Sequence, residues 1–373
     1  MTSALDLSAE FPLENDVLYL NHAAVAPWPK RTRDAVVRFA EQNITVGARD
    51  YPRWLDTEQT LRGRLAALIG GVPHEDIALL KNTSEGLSVI AQGLSWRDGD
   101  QVLISDQEFP SNRIPWQALA EQGVEVIQVP VDGDNAEQRV IDALGPRVRL
   151  VSLSSVQYAS GIRLDLAPIG AACRERGVLF CVDAIQSLGA HVFDAESINA
   201  DFVVADGHKW MLGPEGLALF YARPEARDRL RLRQFGWHMV AASGDYDRQD
   251  WRPADDARRF ECGSPNLLCA HALNASLSLL EEVGMAAVEQ RLTDTVTVLI
   301  GELKARGAEL LTPEAARRRA GIVTFRLPGE EPQSTFERLR QGGVVCAQRG
   351  GGVRFSPHFH TDQSVIDRAL ALL

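Results

Sequence analysis

Residues 177–186 read GVLFCVDAIQ and residues 201–210 read DFVVADGHKW. The fold is decided by how these two stretches echo each other. Each is a short apolar run closed by an aspartate, and within each run the apolar residues are continuous rather than alternating. A strand reads that way when helices cover both of its faces. The runs at residues 178–182 and 202–204 belong to a set that also includes 77–80, 102–104, 124–129, 150–153 and 217–221. Helical patterns lie between them, for example at 84–94, 116–121 and 166–176. Strand and helix in repetition predict an α/β fold with a mainly parallel seven-stranded sheet.

The character changes after residue 222. Residues 223–233 are charged and predict a helix, and residues 241–258 are polar, with a proline and a glycine, and predict a loop over the surface. Helices are expected from 266 to 283 and from 285 to 306. Strands follow at 322–326 and 353–355, with a helix near 333–341 between them. These form a smaller α+β domain. The expected division is a large domain of residues 16–255 and a small one of 256–373, joined by the N-terminal segment 1–15. The basic run Arg317, Arg318, Arg319 reads as a solvated face.

A net charge of −11 argues against nucleic-acid and anionic-membrane partners. No apolar run reaches the length of a membrane span. The opening residues MTSALDLSAEFPLEND lack the basic and apolar regions of a signal peptide. The five cysteines are an odd number with no CxxC pair, which speaks against a disulfide framework or structural zinc and for the reducing cytoplasm. Cys173 and Cys181 sit in apolar runs as small hydrophobes.

Chemistry concentrates at the ends of the two opening stretches. Asp183 closes one strand, and Lys209 follows the next. Successive parallel strands open onto the same edge of a sheet, so a carboxylate and an amine converge on one pocket. A pyridoxal-phosphate enzyme needs that pair. The carboxylate keeps the pyridine nitrogen protonated, while the lysine holds the cofactor as an imine and shuttles protons at the substrate's Cα. Taken singly, Asp183 would be read as a helix cap and Lys209 as a surface lysine. With Gln186 and His208 beside them, the functional reading wins. The stretch Lys81-Asn82-Thr83-Ser84-Glu85-Gly86 follows a strand and opens a helix. Thr83 or Ser84 is expected to cap that helix, whose N–H groups make an anion site suited to the cofactor phosphate.

The motifs YLNHAA, KNTSEG, QEFPSN, VDAIQS, DGHKW, FECGSPN and VRFSPHFHT occur in this order. In this the chain resembles the class V aminotransferase family of fold-type I pyridoxal-phosphate enzymes, which also holds cysteine desulfurases and kynureninases. The likeness runs from about Leu18 to Asp367. It implies Thr83 and Ser84 in the phosphate turn, Phe109 stacked on the cofactor and Asp183 at the pyridine nitrogen. It further implies Gln186 near the phenolic oxygen, His208 on the phosphate side and Lys209 as the Schiff-base lysine. Ser264 would reach the phosphate of a neighbouring subunit, so a homodimer with shared active sites is implied. Arg354 would clamp the α-carboxylate of a small amino-acid substrate, a role suited to a bidentate guanidinium. Asn21 and His22 would line the substrate side.

The departures from the family pattern matter too. Asp206 stands where many relatives have a serine. Because an aspartate repels phosphate, it is expected to orient His208 or a backbone group. Phe109 replaces a histidine and cannot donate a proton. Tyr158, with Gln157, stands where desulfurases carry an asparagine, and either a substrate-side hydrogen bond or plain packing suits it. Cys346 looks strand-buried, and a buried neutral thiol is a poor nucleophile, so persulfide chemistry is not expected. The residues leave transamination and β-elimination (carbon–sulfur or carbon–carbon) both open. The family name places transamination first, and racemisation is a distant third. A non-catalytic binding protein of this fold would need a broken site, and Lys209, Asp183, Thr83 and Arg354 are all present.

Overall fold

A computed structural model describes residues 7–373. The start of the N-terminal segment, residues 1–6, and with it part of the stretch read for a signal peptide, lies outside the described residues. The central sheet has seven strands: β1 (Ile77–Leu80), β2 (Gln101–Ser105), β3 (Glu125–Val129), β4 (Val148–Ser154), β5 (Leu179–Asp183), β6 (Phe202–Asp206) and β7 (Ala218–Ala222). Their spatial order is β1-β7-β6-β5-β4-β2-β3. Only β7 runs antiparallel to its neighbours. The expected α/β sheet is therefore present strand for strand.

The continuous apolar runs are explained by the layers. Helices α2 (Tyr51–Leu68), α3 (Thr83–Gly93), α4 (Leu166–Arg176) and α5 (Leu267–Val283) supply most of the cover, α1 (Lys30–Val46) packs on α5, and α6 (Met285–Ala305) follows α5 in the chain. Phe180, Val182 and Val203 point into a core shared with Leu65 of α2, Ile169 of α4 and Leu277 of α5. Their neighbours Cys181, Phe202 and Val204 point the other way, into a core with Leu87 and Ile90 of α3. Successive side chains of a strand alternate faces, so apolar residues at every position fill both. Each such side chain contributes about 1.5–3 kcal/mol by burial.

Helix α3 lies directly on β6. A Cβ added at Gly86 would come within 2.6 Å of Val204 Cγ1, so glycine is what permits the approach. The helix is capped not by Thr83 or Ser84 but by Asn82, whose Oδ1 accepts from the Glu85 N–H at 2.9 Å. Glu85 answers by accepting from the Lys81 N–H at 2.6 Å. Thr83 and Ser84 are thus left inside the first turn, with side chains free for other partners.

The second layer is built on an antiparallel sheet of β8 (Glu309–Leu310), β9 (Val323–Arg326), β10 (Ala347–Arg349) and β11 (Gly352–Phe355), ordered β10-β11-β9-β8. Leu292, Val296 and Leu299 of α6 pack with Phe325 and Phe355 in this separate core. Because α5 belongs to the first core and α6 from Leu292 onward to the second, we propose a division near the start of α6 in place of residue 255. The first strand of the range assigned to the large domain joins the second unit. Leu18–Tyr19 pairs in parallel with Val344–Val345, and Asn21 bridges to Ser356.

Two expectations fail locally. The helix expected over 223–233 is a single turn, Pro224–Arg227, because the Arg231 N–H is donated to the Gly93 carbonyl at the end of α3 (2.8 Å). The run at 317–319 is not a solvated face. Arg318 and Arg319 are buried, Arg318 pairing with Glu137 and Arg319 donating to the Glu314 carbonyl at 2.7 Å. Among the described residues no helix is long and apolar enough to cross a membrane.

The contact at Gly86 is testable against a helical glycine with open surroundings. Gly86→Ala is expected to lower stability by about 1–3 kcal/mol through overpacking. Gly63→Ala in α2, where an added Cβ meets nothing within 4 Å, is expected to raise it by about 0.5–1 kcal/mol. Thermal denaturation of the two variants should shift in opposite directions.

Candidate active site

The parallel register of β5 and β6, with Asp183 opposite Val204, brings the tips of both strands to one edge of the sheet. Asp183 is 2% exposed. One carboxylate oxygen accepts from the Ile185 N–H at 3.1 Å, and the other has no hydrogen-bond partner among the described residues. Burial pushes this carboxyl well above the ordinary range, and the nearby Glu108 adds to the shift. Lys209 shifts the opposite way. Desolvation lowers its amine, helped by the positive charge of Arg354, while Asp183 partly restores it. The two groups feel each other's charge, yet no hydrogen bond joins them. The lysine Nζ lies 5.7 Å from the centre of the Phe109 ring.

On one side of Lys209 the first turn of α3 meets the tip of β6. The Asp206 N–H is donated to Thr83 Oγ1 at 3.1 Å, and the Asp206 carboxylate comes within 3.0 Å of His208 Nδ1. Ser84 donates its hydroxyl proton to Ser111 at 2.8 Å, tying the helix to the loop that carries Phe109. The backbone N–H groups of Thr83 and Ser84 have no acceptor among the described residues. They form the positive end of an eleven-residue helix, which suits an anion.

On the other side stands Arg354, 2% exposed. It donates to the Tyr158 carbonyl at 2.6 Å and to Asn21 Oδ1 at 3.4 Å, while its Nε is buried with no partner. No carboxylate pairs with it among the described residues. Burial lowers this guanidinium to about 10. A buried cation without a counter-ion costs free energy until an anion arrives. Tyr158 meets the Phe109 ring edge-on at 5.1 Å. The group therefore gathers Asn21, Phe109, Tyr158, Asp183, Lys209 and Arg354.

Residues 18–368 match the aminotransferase class V family. The chain belongs to that family. It is accordingly a pyridoxal-phosphate-dependent enzyme, and the unpartnered Asp183 oxygen, the free lysine amine and the open helix end fit that cofactor. The class V chain is 28% identical to a probable cysteine desulfurase of Methanothermobacter thermautotrophicus, over 92% of this chain and 86% of that one. It is 29% identical to isopenicillin N epimerase of Streptomyces clavuligerus, over 95% and 94%. Its fold superimposes with TM-score 0.89 on the cystine C–S lyase C-DES, solved with its reaction product cysteine persulfide, at 24% identity and coverage of 97% and 98%.

Three other residues singled out in the class V motifs are placed differently. Gln186 is engaged at both ends, donating to the Ala23 carbonyl at 3.1 Å and accepting from Trp210 Nε1 at 2.7 Å. His22 is packed among Trp210, His358 and His360, one ring nitrogen on the Ser356 carbonyl, and burial lowers it to about 4. Ser264 is exposed and lines a separate cavity of about 410 Å³ with Lys81, Glu85 and Asn266. Cys346 is buried as expected, its thiol pushed up to about 12 by desolvation.

Sequence reasoning missed Glu108. This buried carboxylate accepts from Ser105 Oγ (2.9 Å), Ser154 N (2.9 Å), Ser154 Oγ (2.5 Å) and Asn112 Nδ2 (2.9 Å). It locks the tips of β2 and β4 beside Asp183. The signal lay in QEFPSN, where attention went to the ring of Phe109 and not to the carboxylate before it.

The state of Asp183 yields a pH prediction for the cofactor-free class V protein. Its carboxyl holds a proton to higher pH in the folded than in the unfolded chain. The folded state is therefore favoured below the ordinary carboxylate range, and this advantage fades as pH rises through the folded value. Asp183→Asn lacks the effect. The variant without cofactor should melt about 2 °C or more above wild type near pH 8, with the gap closing near pH 4. A gap independent of pH would refute the buried-charge account.

Proposed function

We propose that this pyridoxal-phosphate enzyme is a carbon–sulfur β-lyase acting on small α-amino acids. One observation carries the substrate side: a buried arginine without a carboxylate partner, within electrostatic reach of the active lysine. An amino acid whose carboxylate sits on Arg354 presents its Cα to Lys209. When bound, the cofactor supplies an electron sink for the pair released at Cα. Asp183 would hold a proton at the pyridine nitrogen, and Thr83, Ser84 and the α3 N-terminus would receive the phosphate, with His208 close by at 3.0 Å from the Asp206 carboxylate. Gln186 acts through Trp210, which fixes the loop that carries Lys209. Ser264 faces outward and is available to a second copy of the chain, the basis for proposing a homodimer with shared sites.

Lys209 takes the Cα proton, the pair left at Cα forms the Cα–Cβ double bond as the Cβ–S pair leaves with sulfur, and the lysine returns the proton to that sulfur. Water then hydrolyses the unsaturated amine to a keto acid and ammonia, beside sulfide from cysteine or a persulfide from cystine. Phe109 offers no proton, so the lysine is the acid–base group at hand. Of the three proteins named above, the desulfurase and the C–S lyase break a bond to sulfur, the epimerase does not, and none is named a transaminase, which supports this reading over transamination. Cys346 does not take part. Its neutral, buried thiol leaves sulfur to depart as a free product.

Incubating the enzyme with cystine or cysteine should give pyruvate and ammonia in equal amounts together with a sulfur product. A keto acid that retains the sulfur, with no free ammonia, would instead mean transamination. Lys209→Ala should lose the visible absorbance of the bound cofactor and turnover by about 10³-fold or more. Cys346→Ser should turn over within about twofold of wild type. A drop of a hundredfold would restore the thiol route.

A further inference from the structure

The small-domain sheet turns one face toward the active site, and that face carries a second arginine. In the antiparallel register Ala347 stands opposite Arg354, and Arg349 opposite Gly352. Opposed residues of an antiparallel pair share a face, and so do residues two apart on one strand. Arg349 and Arg354 therefore project from the same face as diagonal neighbours, about 7–8 Å apart at their backbones and within reach of long side chains. Thr324, opposite Arg354 on β9, lies on this face too, and its hydroxyl reaches the Ala159 carbonyl at 2.5 Å. The face is thereby pressed against the turn that holds Tyr158.

Arg349 is exposed and pairs with no carboxylate among the described residues. Its one hydrogen bond goes to the adjoining Gln348 carbonyl at 2.8 Å. Its charge is felt at Arg354, which burial and Arg349 together depress. The turn that carries it is held in place. Arg326 donates to the Gly351 carbonyl at 2.7 Å, and a Cβ at Gly350 would meet Ala159 at 3.2 Å. Two guanidiniums thus stand on one face, one buried and one at the rim, with no acid between them. Simple solvation explains an isolated rim arginine. It does not explain a like-charged neighbour, carried on a held turn, beside a buried cation that already lacks a counter-ion.

We propose that Arg349 is a second anion anchor and a specificity residue. The preferred substrates are then α-amino acids that carry another carboxylate, or a like anion, beyond Cβ. The α-carboxylate goes to Arg354 and the distal anion to Arg349, which leaves Cα over the lysine. This rests on the substrate pose proposed above, but not on the fate of the Cβ–S bond.

The test is equilibrium binding of non-reacting acids to the holoenzyme by calorimetry, using succinate, glutarate and adipate as diacids and propionate as the single-carboxylate control. At least one diacid should bind wild type tenfold or more tightly than propionate. Arg349→Gln should remove that advantage while changing propionate by less than twofold, and Arg349→Lys should restore part of it. Arg354→Gln should weaken both kinds of ligand. The proposal is overturned if no diacid outbinds propionate on wild type, or if Arg349→Gln weakens both kinds by the same factor. Absence of ammonia and pyruvate from sulfur amino acids would sink the elimination reading and leave the diacid result standing.

Discussion

The site depends on removing water from a carboxylate and an amine at neighbouring strand tips. Asp183 and Lys209 are shifted in opposite directions by the same cause, burial, and each partly offsets the other. Neither would keep its state if the sheet let solvent in. The double-sided cover of β5 and β6 is therefore the electrostatic setting of the chemistry as well as a source of stability. Gly86 belongs to this setting. By letting α3 lie on Val204 it places an open helix end beside the tip of β6, where Thr83 meets Asp206.

Around that pair the protein spends its polar groups unevenly. Glu108 is saturated by four hydrogen bonds and serves as a rigid strut between strand tips. Gln186 is held by one hydrogen bond at each end of its amide. By contrast Arg354, one oxygen of Asp183 and the first amides of α3 are left wanting. Buried polar groups are normally satisfied, so these three, gathered at one edge of the sheet, suit a small molecule with anionic groups.

Much of this was legible in the sequence. The continuous apolar runs gave all seven large-domain strands because parallel strands buried on both faces leave that signature. Asp183 and Lys209 could be paired because strand tips of such a sheet share an edge. What escaped had causes outside the local pattern. The short helix at Pro224–Arg227 ends where Arg231 finds the last carbonyl of α3, a partner far away in the chain. The arginines at 318 and 319 are buried because Glu137 and Glu314 meet them, which no charge run reveals. Glu108 and Arg349 were passed over because a carboxylate beside an aromatic and an arginine on a hairpin look ordinary until register and depth are known.

The pairing of Leu18–Tyr19 with Val344–Val345 has a consequence for biosynthesis. Asn21 and Ala23, which touch Arg354 and Gln186, sit just after the first of these strands. A ribosome must synthesise everything from Leu20 to Gly343 before that early strand meets its mate. The pocket is thus closed late, by the joining of segments made far apart in time, and a product cut short before Val344 would present the lysine without the wall that receives an amino acid.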